Sequence, residues 1–267
     1  MESARAGARS DIDVRERQKP FGCKGGPNVA AWTPPKKDFP PIDEVRALWS
    51  AALEVDASPH VSEYIAAHIG PPSKLATLNK ASHGLKIPVA RALEPGADGL
   101  PSWAKQWPER GYRLLTPLFD VHGVVRSVAA RNITHPDRWK QGDSKVRTPQ
   151  GSRVDGLFFA SPHAVASLRG DVPKGLGIRR WTLVEGDKDT LIDIANHAHH
   201  GVAVIGKRGQ SKLPNELFSW LVTHVPAGNG PDVFVRMDAD SKGREYTREI
   251  LPKLKGCKVM VPNDYEG

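Results

Sequence analysis

The chain has 267 residues, 39% hydrophobic and 25% charged, the balance of a soluble globular protein able to build an apolar core. No apolar run approaches the roughly 18–20 residues of a membrane span, and the start MESARAGARS has no apolar leader, so a cytoplasmic protein with no membrane partner is expected. Two cysteines, Cys23 and Cys257, exclude a disulfide framework and a multi-cysteine zinc site. The net charge of +8 is uneven: residues 111–180 hold 12 Lys+Arg against 5 Asp+Glu, a net of +7. A concentration of this kind suits a polyanion, most often nucleic acid; a solvated basic face is the alternative.

Four stretches follow one another along the chain. Residues 1–42 include the proline-rich PNVAAWTPPKKDFPP and read as extended and linker-like. Residues 43–110 form a helical region. Asp43 is positioned to cap a helix over EVRALWSAAL, with Val45, Leu48, Trp49 and Leu53 on one face, and a second helix, VSEYIAAHI, follows Pro59. Residues 111–180 are basic and β-rich. YRLLTPLFD and VVRSVAARNI predict a hairpin turning at VHG, and the polar stretch from Thr134 to Gly156 leads to LFFA and a helix over PHAVASLR. In residues 181–267, the strands WTLVEG, GVAVIG, DVFVRMD and CKVMVP alternate with helices over KDTLIDIANHAHH, NELFSWLVTH and KGREYTREILPKL. Short apolar strands alternating with helices predict a parallel sheet covered on both faces.

Functional groups of such sheets gather at the carboxyl ends of strands. The first strand runs into Glu185-Gly186-Asp187-Lys188-Asp189 and the third into Asp238-Ala239-Asp240, with Gly243 behind. If these strands are neighbours, Glu185 faces Asp238 and Asp240, and hard oxygen ligands at one sheet edge suit Mg²⁺ and phosphoryl chemistry. Taken singly, Asp189 also reads as a helix cap and the D-x-D as a solvated turn.

In their order and surroundings, LVEGDKD (183–189) and MDADSKG (237–243) resemble the Toprim family, shared by bacterial-type primases, topoisomerases and some nucleases. The resemblance covers 181–267. It implies a Rossmann-like parallel sheet with flanking helices, preceded here by a basic α+β subdomain and a helical, Pro-rich N-terminal region. It also implies Glu185 as general acid/base and Asp238 and Asp240 as holders of Mg²⁺ (or Mn²⁺). Asp189 takes the second acidic position of the first motif, and Asp264 in VPNDYEG the further acidic position of primases. Glu185, Asp189, Asp238, Asp240 and Asp264 are thus the expected metal set.

The middle segment is similar to the opening of the bacterial primase polymerase core: a proline-containing strand, a D-x-x-G turn (Asp120 to Gly123) and a strand ending at Arg131, then KVRTPQG and Gly156-Leu157-Phe158. In that family this subdomain carries a basic ridge for template and primer, and the +7 segment falls on the same residues. Arg126, Arg131, Lys140, Lys145 and Arg147 are the expected nucleic-acid contacts. Lys207 and Arg208 join them from GKRGQSK, which lacks the ending of a phosphate-binding loop and otherwise reads as a solvent-exposed loop.

ALWSAALEVDASPHVSEYIAAHIG is similar to a region of phage- and plasmid-type primase-like proteins. Where family primases carry a zinc ribbon, Cys23 alone cannot build one, so no zinc is expected. Trp103 and Trp107 are candidates for base stacking or for core packing. His197, His199 and His200 read as helix-end histidines rather than metal ligands.

The resemblance implies a DNA primase-like nucleotidyltransferase, a DNA-directed RNA polymerase that makes short RNA primers from NTPs on single-stranded DNA, with a replicative helicase as partner. A Toprim nuclease using the same acids and a non-catalytic DNA- or partner-binding module are the alternatives.

Overall fold

The computed structural model describes residues 38–70, 73–74, 78, 87–172, 177–197, 200–225, 227–228 and 230–262. Cys23, His199 and Asp264 lie outside them. Among the described residues no helix is long and apolar enough to cross a membrane.

Helix α1 (Ile42–Ala51) starts one residue ahead of the expected Asp43 cap. The Pro41 carbonyl accepts from the Glu44 and Val45 amides, and Asp43 and Glu44 instead occupy the first turn, where the helix dipole favours them. In α2 (Pro59–His68) the Ser58 hydroxyl caps the Val61 amide, with Pro59 at the first position.

The first sheet is antiparallel in the order β1–β2–β3–β4: β1 (Arg91–Ala92), β2 (Tyr112–Phe119), β3 (Val125–Asn132) and β4 (Val146–Arg147). Strands β2 and β3 are the expected hairpin. Pro117 lies in β2 between Leu115, which pairs with β1, and Phe119, which exchanges backbone bonds with Phe158. Its missing N–H therefore falls in a gap in the ladder, where proline is tolerated. One face of the hairpin buries Tyr112, Leu115, Val128 and Ala130 against Leu48 of α1 and Trp107. Trp103 packs edge-on against Trp107 at 5.1 Å and donates its indole N–H to Glu44 at 2.6 Å. These tryptophans serve the core under the hairpin; Trp107 is 2% exposed and cannot stack on a base.

The second sheet has the order β5–β7–β6–β8–β9: β5 (Phe159–Ala160), β6 (Arg180–Glu185), β7 (Val202–Lys207), β8 (Asp232–Arg236) and β9 (Val259–Met260). Strands β6 to β9 are parallel and β5 is antiparallel. Alternate residues explain how both faces are covered. Leu183, Ala203, Ile205, Val233 and Val235 point to the side that holds α3 (Pro162–Arg169), α5 (Asn215–His224) and α6 (Ser241–Ile250). Val184, Val202 and Val204 point to α4 (Gly186–His197) and α2. Strand β5 comes from ahead of residue 181, so this sheet reaches back into the basic segment.

Helix α3 matches its expected span because both signals are local: Ser161 caps it and Gly170, at φ 76°, ends it. The expected helix through Leu254 is α only to Ile250 and continues as a 3₁₀ turn over Leu251–Leu254, because Pro252 supplies no amide for the α ladder.

Candidate active site

Strand β6 sits between β7 and β8, so Glu185 at its carboxyl end has neighbours on both sides. On one side, Val184 is in register with Arg236, which brings Met237 and Asp238 to the level just beyond Glu185. On the other, Glu185 is in register with Lys207. Two glycines shape this edge. Gly186, at φ 86°, turns the chain from β6 directly into α4. At Gly243 a Cβ would collide with the Asp238 carbonyl, so only glycine lets α6 close onto the aspartate. Asp240 then caps α6, its Oδ1 accepting the Gly243 amide at 2.7 Å.

The acids share one electrostatic field. Burial, and then the charges of Glu185, Asp189 and Asp240, push the Asp238 carboxyl above its ordinary range, while Lys207 pulls the other way. Burial also raises Asp189, against the opposing charges of Arg236 and Lys188. Among the described residues no three Asp, Glu, His or Cys side chains converge closely enough to cage an ion. Carboxylate oxygens such as those of Asp189, Asp238 and Asp240 are the hard donors that divalent cations take.

Two buried ion pairs frame the acids. Lys207 places Nζ 2.7 Å from Glu185 Oε1, donates also to the Gly209 carbonyl, and lies 5.0 Å from the centre of the Tyr246 ring. Arg131, at the end of β3, forms a two-pronged pair with Asp187 in the first turn of α4, at 2.7 and 2.5 Å. Asp187 is 3% exposed, so this pair is the charged bolt between the hairpin and the parallel sheet.

A cleft of about 1450 Å³ opens beside the acids. Glu185, Asp189 and Asp238 border it, and of the expected nucleic-acid contacts Arg131, Lys145 and Arg208 do so as well. Arg126, Lys140, Arg147 and Lys207 do not line it. Arg126 is bonded to Asp120 in the hairpin turn at 2.7 Å, and Arg147 lies over the Tyr112 ring at 4.8 Å. Tyr64 and His68 of α2, Arg138 and Trp139 also face the cleft. None of these was singled out in sequence; two aromatic residues four apart on a helix gave the only hint. The partnership of Glu185 with Lys207 depends on the pairing of β6 with β7, which no local spacing gives. His197 is exposed at the far end of α4, and His200, beyond the helix, is exposed too.

No protein-family model matches the sequence, and no curated protein matches it. The fold is similar to the RNA polymerase domain of Mycobacterium tuberculosis primase DnaG. The TM-score is 0.50 at 14% identity, with 82% of this chain and 74% of that one covered. The chain has the fold of a primase RNA polymerase domain. Two further primases align at lower scores. One is a DnaG primase catalytic domain bound to single-stranded DNA, with TM-score 0.49, 12% identity and 83% and 71% coverage. The other is the Aquifex aeolicus primase comprising zinc-binding and RNA polymerase domains, with TM-score 0.48, 16% identity and 78% and 50% coverage. The primase-fold chain thus spans half the length of the Aquifex protein.

Proposed function

We propose that the protein is a primase-type nucleotidyltransferase that joins NTPs into short RNA primers on single-stranded DNA. The observation that carries this reading is the meeting of Glu185 and Asp238, 53 positions apart in the sequence, at one edge of a primase-fold sheet. They border a cleft shared with Arg131, Lys145 and Arg208.

Asp238, with Asp189 and Asp240 beside it, would hold Mg²⁺ or Mn²⁺. Bound there, the ion would neutralise triphosphate charge and lower the pKa of the attacking 3′-hydroxyl. Glu185, paired with Lys207, would accept the hydroxyl proton. Lys145 and Arg208 supply positive charge along the wall where phosphates would run, giving an affinity that falls as salt rises. The setting that suits this activity is the cytoplasm, with a replicative helicase as partner.

The test is NTP incorporation on single-stranded DNA by wild type and by Glu185→Gln, beside a nuclease assay. Wild type should make primers, and Glu185→Gln should lose about 10²–10⁴-fold in rate. Equal product from both would remove Glu185 from the mechanism, and DNA cleavage without synthesis would turn the reading to a nuclease.

A further inference from the structure

One wall of the cleft takes no part in the chemistry at the acids: the face of α2 with Tyr64 and His68, and the turn after β3 with Arg138 and Trp139. Trp139 is half-buried and donates its indole N–H to the Thr134 carbonyl at 3.1 Å. Its backbone amide closes the 3₁₀ turn Pro136–Arg138 onto the Pro136 carbonyl at 3.0 Å. Thr134 is itself fixed, its amide and hydroxyl both donating to Asn132 Oδ1, at 3.0 and 2.6 Å.

Tyr64 is held in the same way. Its hydroxyl takes a hydrogen bond from Arg131, the residue that bolts β3 to Asp187. Its ring meets His68 one helical turn on, with centroids 4.4 Å apart. Burial, and then the charges of Lys188 and Arg131, keep the His68 imidazole below its ordinary range, so at neutral pH it extends the Tyr64 surface as an uncharged aromatic ring. Tyr64 and Trp139 thus each commit their one polar group to the protein and border the cleft with their rings. Rings fixed in advance lose little side-chain freedom on meeting a planar ligand.

The charges beside these rings select the ligand. Arg138, next to Trp139 in the chain, and Lys145 make no ion pair among the described residues and border the same cleft. Arg208 meets Asp155 only at 3.9 Å. Cations beside flat rings are complementary to a string of phosphates that carries unstacked bases. The cleft, at about 1450 Å³, exceeds the roughly 300–1,000 Å³ of a small-molecule pocket. Two rings on separate elements suit the bases of a strand better than the single base of an NTP.

We propose that Trp139 and Tyr64, extended by His68, form a base-stacking subsite for single-stranded DNA, a role that rests on the reading of the cleft as the template path. The subsite grips the strand by its bases while Lys145 and Arg208 hold phosphates. It is tolerant of sequence, because every base has a π-face.

The test is fluorescence anisotropy of the full chain with two labelled strands of equal length, oligo(dT) and an abasic strand with the same phosphates, without NTP or metal. Wild type should bind oligo(dT) at least about fivefold more tightly than the abasic strand. Trp139→Ala should weaken oligo(dT) binding roughly 5- to 150-fold, barely alter abasic binding and leave the salt slope unchanged, and Trp139→Phe should restore most of the loss. Lys145→Ala should instead weaken both strands alike and lower the slope by about 1. A merely structural collapse of the turn would displace Arg138 as well, and so would weaken the abasic strand and lower the slope.

Equal affinity of wild type for the two strands would overturn the subsite and leave the template path standing. Wild type that binds neither strand would remove the template path, and the subsite with it. Trp139→Ala that weakens ATP binding but not oligo(dT) binding would give the ring to the incoming nucleotide and overturn the assignment. If Trp139→Ala does not fold, as a melt would reveal, Tyr64→Leu decides by the same comparison of strands.

Discussion

The two sheets treat charge in opposite ways. In the antiparallel sheet and its flanks the cations outnumber the acids, yet several of their arginines are engaged. Arg110 holds Asp143 at 2.5 Å, Arg126 holds Asp120 at 2.7 Å, and Arg113 faces Glu94 at 3.7 Å. Arg131 reaches out of its sheet to Asp187. At the carboxyl edge of the parallel sheet the acids gather instead, and Asp238 is left without a paired cation among the described residues. The difference teaches that a net of +7 over 111–180 measures composition, not available charge. Among the described residues the ammonium groups of Lys140 and Lys145 pair with no carboxylate. Lys145 is the one of these two that borders the cleft.

The largest effect on stability should come from cutting the bolt between the sheets. Arg131→Ala leaves Asp187 buried and unpaired, which should cost about 3–5 kcal/mol in urea unfolding. Removing both partners, as Arg131→Ala/Asp187→Ala, should recover much of that loss. Stability unchanged by Arg131→Ala would make it a surface cation like Lys145 and dissolve the contrast. Next, Gly243→Ala should cost about 1–3 kcal/mol, because the new Cβ meets the Asp238 backbone rather than a movable side chain. A melt indistinguishable from wild type would show that α6 does not need this close approach.

Smaller effects separate the cations of the basic segment. Lys145→Ala should lower the salt slope of single-stranded DNA binding by about 1, measured by fluorescence anisotropy across salt concentrations. Arg126→Ala, whose guanidinium serves the hairpin turn away from the cleft, should leave that slope alone. The reverse pattern would move the template path to the turn.

The smallest effect concerns pH. Folding favours the protonated form of Asp238, because burial and its three acidic neighbours raise its pKa. Its contribution to stability is therefore full below the unfolded carboxylate pKa and is lost as pH rises through the folded one. Asp238→Asn should raise Tm at pH 7, and the gain should vanish as the pH falls through the carboxylate range. A gain that persists in acid would mean that the neighbouring charges do not act on this residue.

What the amino-acid sequence determined by itself is the set of elements whose signals lie within one or two turns. Helix α3 lies between Ser161-Pro162 and Gly170, α5 follows Pro214, and the β2–β3 hairpin turns at Asp120 to Gly123. Capping, proline and φ-positive glycine act on neighbouring residues, so nothing distant is needed to read them. The placement of Glu185 near Asp238 was conditional on which strands pair.

Only the tertiary structure decided that β6 lies between β7 and β8. That order gives Glu185 a cation on one side and a carboxylate on the other. It likewise joined Arg131 to Asp187 across 56 positions and drew Phe159 and Ala160 into the second sheet. Strand order and long-range ion pairs follow from burying two apolar faces at once, a condition on the whole chain that no local spacing carries.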